Sequence, residues 1–263
     1  MKAIAILNLK GGVGKTVTAV NMAHILASEH KQRVLLIDCD SQCNATEFFG
    51  LAPTEYDVTL DAVLLGECEP YYAENITPTS YSDLDMIPAS DGLMDLDMSH
   101  IADRRVRGRV LADMCRCIRE DDAYDYVIFD CPPAFNAASA AALLASDEVI
   151  IPIKLDAFSL RGLANVSRQI DNIRRINGNI TMWRNVPVVL EAEAKLRESG
   201  VLPVFQTVIR RTDKVDEMTF KQVPILVSSP YSAAGYDYRN FVQELLEPQM
   251  TMEDVKGGVC DGI

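Results

Sequence analysis

A doubly wound α/β fold, a single mostly parallel sheet flanked by helices, is what this sequence predicts, on three observations. Short, continuous apolar runs recur along the chain, segments of helical periodicity separate them, and the first run empties into a glycine-rich loop that opens a helix. Strands that are apolar throughout, bounded by polar loops, imply a sheet covered on both faces. At 263 residues the chain fits one such domain, and halving it would leave each piece short of core. The expected organisation is therefore one domain over residues 1–247 and a mobile tail over 248–263.

The expected strands, in order, are Ala3–Asn8, Arg33–Asp38, Leu84–Pro88, Tyr126–Asp130, Glu148–Pro152 and Val204–Ile209. Between them, Val106, Val110, Met114 and Ile118 fall on one helical face. Leu163, Val166, Ile170 and Ile173 follow the three–four rhythm of an amphipathic helix, as do Tyr238, Phe241, Val242 and Leu245. Leu51–Ser82, rich in Pro, Tyr, Thr and acids, shows little periodicity and reads as a loop-rich surface excursion. The last residues, from Pro248, carry no amphipathic pattern.

Composition narrows the function. No apolar run reaches the roughly 18 residues of a membrane span, and the apolar start runs into glycines where a leader would have a cleavage site. A cytoplasmic protein is expected. The seven cysteines include no CxxC pair and are odd in number, which reads as reduced thiols and not as a disulfide framework or metal site. A net charge of −13 means that any nucleic-acid surface has to be a local patch.

The loop after the first strand is Lys10-Gly11-Gly12-Val13-Gly14-Lys15-Thr16, followed by Val17 and a helical stretch. Glycines let successive N–H groups turn inward on phosphate oxygens, and the helix start aims its positive end at the same anion. Lys15 supplies a charge for β- and γ-phosphates, and the Thr16 hydroxyl can ligate Mg²⁺. The pattern GxxxxGK[ST] calls for a glycine five residues before Gly14, where this chain has Leu9.

With that departure, KGGVGKT resembles the deviant Walker A motif of the ParA/MinD superfamily, and the chain over roughly residues 1–246 is similar to the ParA/Soj family. The resemblance implies that Lys10 is a signature lysine reaching the phosphates of a partner's ATP in a nucleotide-sandwich homodimer. Val34–Thr46, with Asp38-Cys39-Asp40-Ser41-Gln42, is similar to the family's LLxDxDPQGNAT. It implies that Asp40 polarises the attacking water and that Asp38 holds the metal's water shell. Tyr124–Pro133 resembles YDxxxxDxPP, which puts Asp130 at a strand end in reach of Mg²⁺ through water. Val149–Lys154 and Ser159–Leu163 echo VIPxxxxxxxLxGL, and Thr207–Thr212 is similar to TVIPRN. Arg210 and Thr212 stand where the family uses proline and asparagine around adenine, which places them in the nucleotide site by position.

The resemblance implies an ATPase, weak when unassisted, that uses ATP and Mg²⁺, binds DNA non-specifically as a dimer and partitions DNA with a ParB-like activator. Such a protein would be nucleoid-associated. Two segments depart from the family. Asn177–Met182 stands where an apolar strand is usual, which points to a shortened or repacked strand. Pro230–Tyr238 lacks the arginine of PxSRGAxxY, which leaves Arg210, Arg211, Lys214, Lys221 and Arg239 as DNA candidates, with Arg104, Arg105, Arg107 and Arg109 as a second group. Two phosphates neutralised per subunit would give a dimer a log–log salt slope of roughly −3.6. The alternatives are a ParA-like ATPase that positions a non-DNA cargo and a MinD-like regulator. The latter would need a basic amphipathic C-terminus, and the tail has only Lys256 among acids and glycines. A cluster-bearing reductase would need more interface cysteines than Cys131, and a small-molecule ligase would turn over without DNA.

Overall fold

A computed structural model describes residues 1–51, 58–67, 75–96, 108–154 and 204–247, the backbone course of 182–187, and isolated positions at 73 and between 165 and 180. Its centre is a seven-stranded sheet of order β3-β4-β2-β5-β1-β6-β7. The strands are β1 (Lys2–Ile6), β2 (Val34–Asp38), β3 (Thr77–Pro78), β4 (Leu84–Ile87), β5 (Tyr126–Asp130), β6 (Glu148–Ile153) and β7 (Met182–Pro187). All pairings are parallel except that of β3 with β4. The predicted fold class and five of the six predicted strands are observed, with ends shifted by at most two residues.

Alternate strand residues point to opposite faces, and each face has its own core. Ala3, Ala5, Leu35, Ile37, Val127 and Phe129 pack under α3 (Leu60–Leu65), α4 (Val110–Glu120) and α5 (Ala137–Ala145). Ile4, Ile6, Val34, Leu36, Ile128 and Ile150 pack under α1 (Lys15–Ser28), α6 (Asp213–Lys221) and α8 (Ala233–Leu246). Two short helices, α2 (Asn44–Phe48) and α7 (Ile225–Ser228), and a 3₁₀ turn at Asp91–Asp95 are also present. Helix α1 lies against the sheet centre and is buried on nearly every side, whereas α4 has one buried face bearing Val110, Met114 and Ile118. In α8 the predicted stripe of Tyr238, Phe241, Val242 and Leu245 is buried, and Val166 and Ile170 are likewise buried.

Three expectations are corrected. Val204–Ile209 is not a strand: Val204 makes an isolated bridge and the rest is irregular. Two of its backbone donors, and that of Arg210 just after it, go to side chains of α8. Gln206 N and Thr207 N donate to the Glu244 carboxylate at 2.7 and 2.9 Å, and Arg210 N donates to Asp237 at 2.9 Å. Within Leu51–Ser82, the described residues include α3, whose Leu60, Val63 and Leu64 are fully buried, and the antiparallel β3, so this stretch is only partly a surface excursion. Six residues are too few to display a helical period, which is why the pattern is silent there. The strand expected to falter within Asn177–Met182 is instead carried by β7, which pairs with β6 from Met182 to Pro187. Leu163, Ile173, Arg104, Arg105, Arg107 and the tail 248–263 lie outside the described residues.

Candidate functional site

At the carboxyl ends of the central strands the chain turns from β1 into α1 through Gly11–Gly14. Gly12 and Gly14 have φ of 68° and 89°, a region costly for other residues, and a Cβ on either would project into open space. Gly14 is also the N-cap of α1, and no side chain caps this helix end. By contrast, Asn136, Thr212 and Ser232 each cap their helices with a side-chain oxygen. A 14-residue helix with its first N–H groups left for an external acceptor is an anion site. Asn8 holds the loop's entry: its Nδ2 donates to Pro152 O at 2.8 Å and its Oδ1 accepts from Lys10 N at 3.0 Å.

Lys15 is 7% exposed and its Nζ donates to Lys10 O at 3.2 Å, so it lies folded over the loop. Burial lowers its pKa, while the nearby carboxylates of Asp130 and Asp40 act in the opposite direction. Those carboxylates come from neighbouring strand ends. Asp38 and Asp130 are register partners on β2 and β5, and both are fully buried. Asp38 is well served with donors: Oδ1 accepts from Asp40 N, and Oδ2 from Thr46 N and the Thr46 hydroxyl. Burial still pushes its pKa up to about 6. Neither oxygen of Asp130 has a hydrogen-bond partner. Thr16 stands near enough to favour its ionisation without reaching hydrogen-bond geometry, and burial, reinforced by Asp38, drives its pKa well above the usual range. A buried carboxylate left without donors is a site waiting for a cation. Among the described residues, however, no three His, Cys, Asp or Glu side chains are grouped to hold a metal by themselves. A hard cation such as Mg²⁺ that takes one or two protein oxygens plus phosphate and water fits both facts.

Gly11, Gly12, Gly14, Lys15, Thr16 and Val17 line one cavity of about 430 Å³, and Asp40 faces it from the loop after β2. Val13 turns inward and is buried. Arg210 and Thr212 do not line this cavity: Arg210 is clamped by Asp237 at 2.7 Å, and Thr212 caps α6. The far wall holds residues that sequence reading missed, Glu47 and Phe48 of α2 and Met218, Thr219 and Gln222 from the end of α6. Gln42 and Asn44, also on the wall, lay inside a recognised motif, whereas nothing local marks Met218 or Gln222.

Comparison with known proteins agrees with this geometry. A family model described as an AAA domain matches residues 1–182. The chromosome partitioning protein ParA of Caulobacter vibrioides is 33% identical over 257 residues, covering 94% of both chains. This chain belongs to the ParA/MinD family of P-loop ATPases. The sporulation initiation inhibitor Soj of Bacillus subtilis is another relative, 30% identical over 93% of this chain and 98% of Soj. Apo McdA from Cyanothece superposes with a TM-score of 0.80 over 93% of this chain and 99% of McdA, and at 24% identity it speaks to the fold alone.

Of the five C-terminal basic residues expected to meet DNA, four are already engaged. Arg210 pairs with Asp237, Lys214 and Lys221 both pair with Glu217, and Arg239 pairs with Glu29. Arg211 is exposed and has no ion pair among the described residues.

Proposed function

We propose that this chain is an ATP-hydrolysing switch that closes into a homodimer around Mg²⁺ and ATP and partitions DNA with a ParB-like activator. One observation carries the reading. The uncapped start of α1 and the donorless carboxylate of Asp130 meet at one end of the sheet, offering an anion site and a cation site side by side. ATP with Mg²⁺ supplies both charges. The loop N–H groups from Gly11 to Thr16 and the Lys15 ammonium bind phosphate, and Thr16, Asp38 and Asp130 hold the metal and its water. When bound, Mg²⁺ neutralises charge on the phosphate oxygens. Asp40, at the cavity wall, orients the attacking water and takes up its proton. Lys10 completes the site across the dimer. Residues 1–247 act as the ATPase domain. Among the described residues no helix is long and apolar enough to cross a membrane. The protein works in the cytoplasm, at the nucleoid.

DNA contact in this reading is non-specific, confined to the ATP dimer and centred on Arg211, since the four neighbouring cations are held by acids. That same ion pairing favours a second reading, in which the switch positions a protein-bound cargo and not DNA. Asp40→Ala with ATP and Mg²⁺ tests the pair. The variant should bind ATP, hydrolyse it slowly and accumulate as a dimer on a sizing column. DNA retention by that dimer at low salt supports partitioning. A dimer that ignores DNA at 50 mM salt, on the order of the lower end of the usual range, leaves the protein-cargo reading. A variant that stays monomeric and hydrolyses normally removes Asp40 from the site.

A further inference from the structure

The segment from Cys39 to Cys43 joins β2 to α2 and presents Asp40 to the phosphate cavity. A loop in that place needs fixing, because a displacement of about 1 Å in a catalytic group can cost on the order of a hundredfold in rate. The bracing comes from one carboxylate and one hydroxyl. Asp38 Oδ1 accepts from Asp40 N at 3.1 Å, at the loop's start. Asp38 Oδ2 accepts from Thr46 N at 2.9 Å and from Thr46 Oγ1 at 2.8 Å, in the first turn of α2 just past the loop. Thr46 Oγ1 in turn accepts from Ala89 N at 2.9 Å, beyond the end of β4. Further along the loop, Asp40 Oδ1 accepts from Gln42 N at 3.0 Å.

Thr46 is 1% exposed, so no water replaces its hydroxyl if it is lost. Both halves of the hydroxyl are used, its proton toward Asp38 and its lone pair toward the Ala89 N–H. The torsion that turns a carboxylate about its last bond is broad. Asp38 therefore depends on its donors for orientation, and Thr46 supplies two of the three. We infer that Thr46 is a positioning residue for hydrolysis, which acts through Asp38 to hold Asp40 against the phosphate cavity. This rests on the ATPase reading of the site.

Three substitutions, Thr46→Val, Thr46→Ser and Thr46→Cys, test it, with ATP affinity measured by isothermal titration in Mg²⁺ and hydrolysis by single turnover with enzyme in excess. Valine keeps the shape and removes both hydrogen bonds of the hydroxyl. It should bind ATP within about threefold of wild type and hydrolyse it at least about tenfold more slowly, the kinetic counterpart of leaving a buried donor and acceptor unpaired. Serine should keep the wild-type rate within about twofold, because the hydroxyl and not the methyl is what matters. Cysteine, a weak donor of similar size, should fall between the two, and it decides the matter if valine does not fold. Equal loss of rate in Ser and Cys, or a wild-type rate in well-folded Val, overturns the inference. Wild-type protein that binds ATP but never hydrolyses it, with or without DNA, would instead remove the ATPase reading on which the inference stands.

Discussion

Replacing Asp130 with asparagine sets two consequences of the site against each other in one measurement. In the nucleotide-free protein Asp130 is buried, lacks a hydrogen-bond donor on either oxygen, and faces Asp38 across the strand pair. An unsatisfied buried polar group costs about 1–3 kcal/mol. Asparagine keeps the shape and stays polar, but it carries none of the charge that burial and the neighbouring Asp38 oppose, so Asp130→Asn should stabilise the nucleotide-free protein by up to about that amount. At roughly 2–4 °C per kcal/mol for a domain of this size, Tm rises by up to about 12 °C. The second effect has the opposite sign. Mg²⁺ and ADP at about a hundred times Kd stabilise wild type by about 2.7 kcal/mol, and a tenfold loss of affinity would cut that gain to about 1.4 kcal/mol. The variant should therefore melt higher than wild type alone and gain less from nucleotide. Thermal melts in EDTA and in Mg²⁺ with ADP read both effects. A variant that melts lower than wild type in EDTA and keeps the full nucleotide shift would refute the reasoning, since Asp130 would then be neither strained nor a metal group.

Lys15→Ala removes the buried ammonium folded over the phosphate loop, and charge-assisted hydrogen bonds of about 1.5–3 kcal/mol correspond to roughly 10–150-fold weaker ATP binding by titration calorimetry. Arg211→Glu should weaken binding of the ATP dimer to all DNA sequences alike. With one unpaired arginine per subunit, the wild-type slope of log K against log salt should lie near −1.8, and the variant should flatten it, as fluorescence anisotropy across a salt series would show. His24, buried in α1 with its ring edge-on to Tyr81 at 4.9 Å, has its pKa lowered to about 4 by burial. The stability it contributes is present above pH of about 6.5 and is lost as pH falls toward about 4, up to about 3 kcal/mol. Urea unfolding of His24→Phe at pH of about 7 and 5 should show less acid loss than wild type, and an unchanged difference would mean that the ring titrates normally.

What could be read in the chain and what could not divide along a physical line. The phosphate loop was legible because its chemistry is local: consecutive glycines, two lysines and a threonine lie between one strand and one helix, and they fold where they stand. Asp38 and Asp130 were legible for a related reason, since an acid ending an apolar run marks a strand's carboxyl end, and register then brings the two together. Val204–Ile209 misled because an apolar run says that a segment is buried and not where its backbone donors go. Here Phe205 and Ile209 are buried as a strand's would be, while Glu244 and Asp237 supply the acceptors from α8. The same long-range acids changed the reading of charge. A count of basic residues gives five DNA candidates near the C-terminus, but whether a cation is available depends on its neighbours in space. Arg210 meets Asp237, and Arg239 meets Glu29 from the other end of the chain. Freeing Arg210 would leave the buried Asp237 carboxylate without its partner, and exchanging the Arg239–Glu29 pair for a DNA phosphate gains little, because the lost and new partners are alike and surface pairs are worth at most about 1 kcal/mol. On the proposed DNA-binding reading, the five C-terminal candidates of a chain with net charge −13 therefore offer little beyond Arg211 per subunit, and their hold on a polyanion would depend on doubling that residue in an ATP dimer.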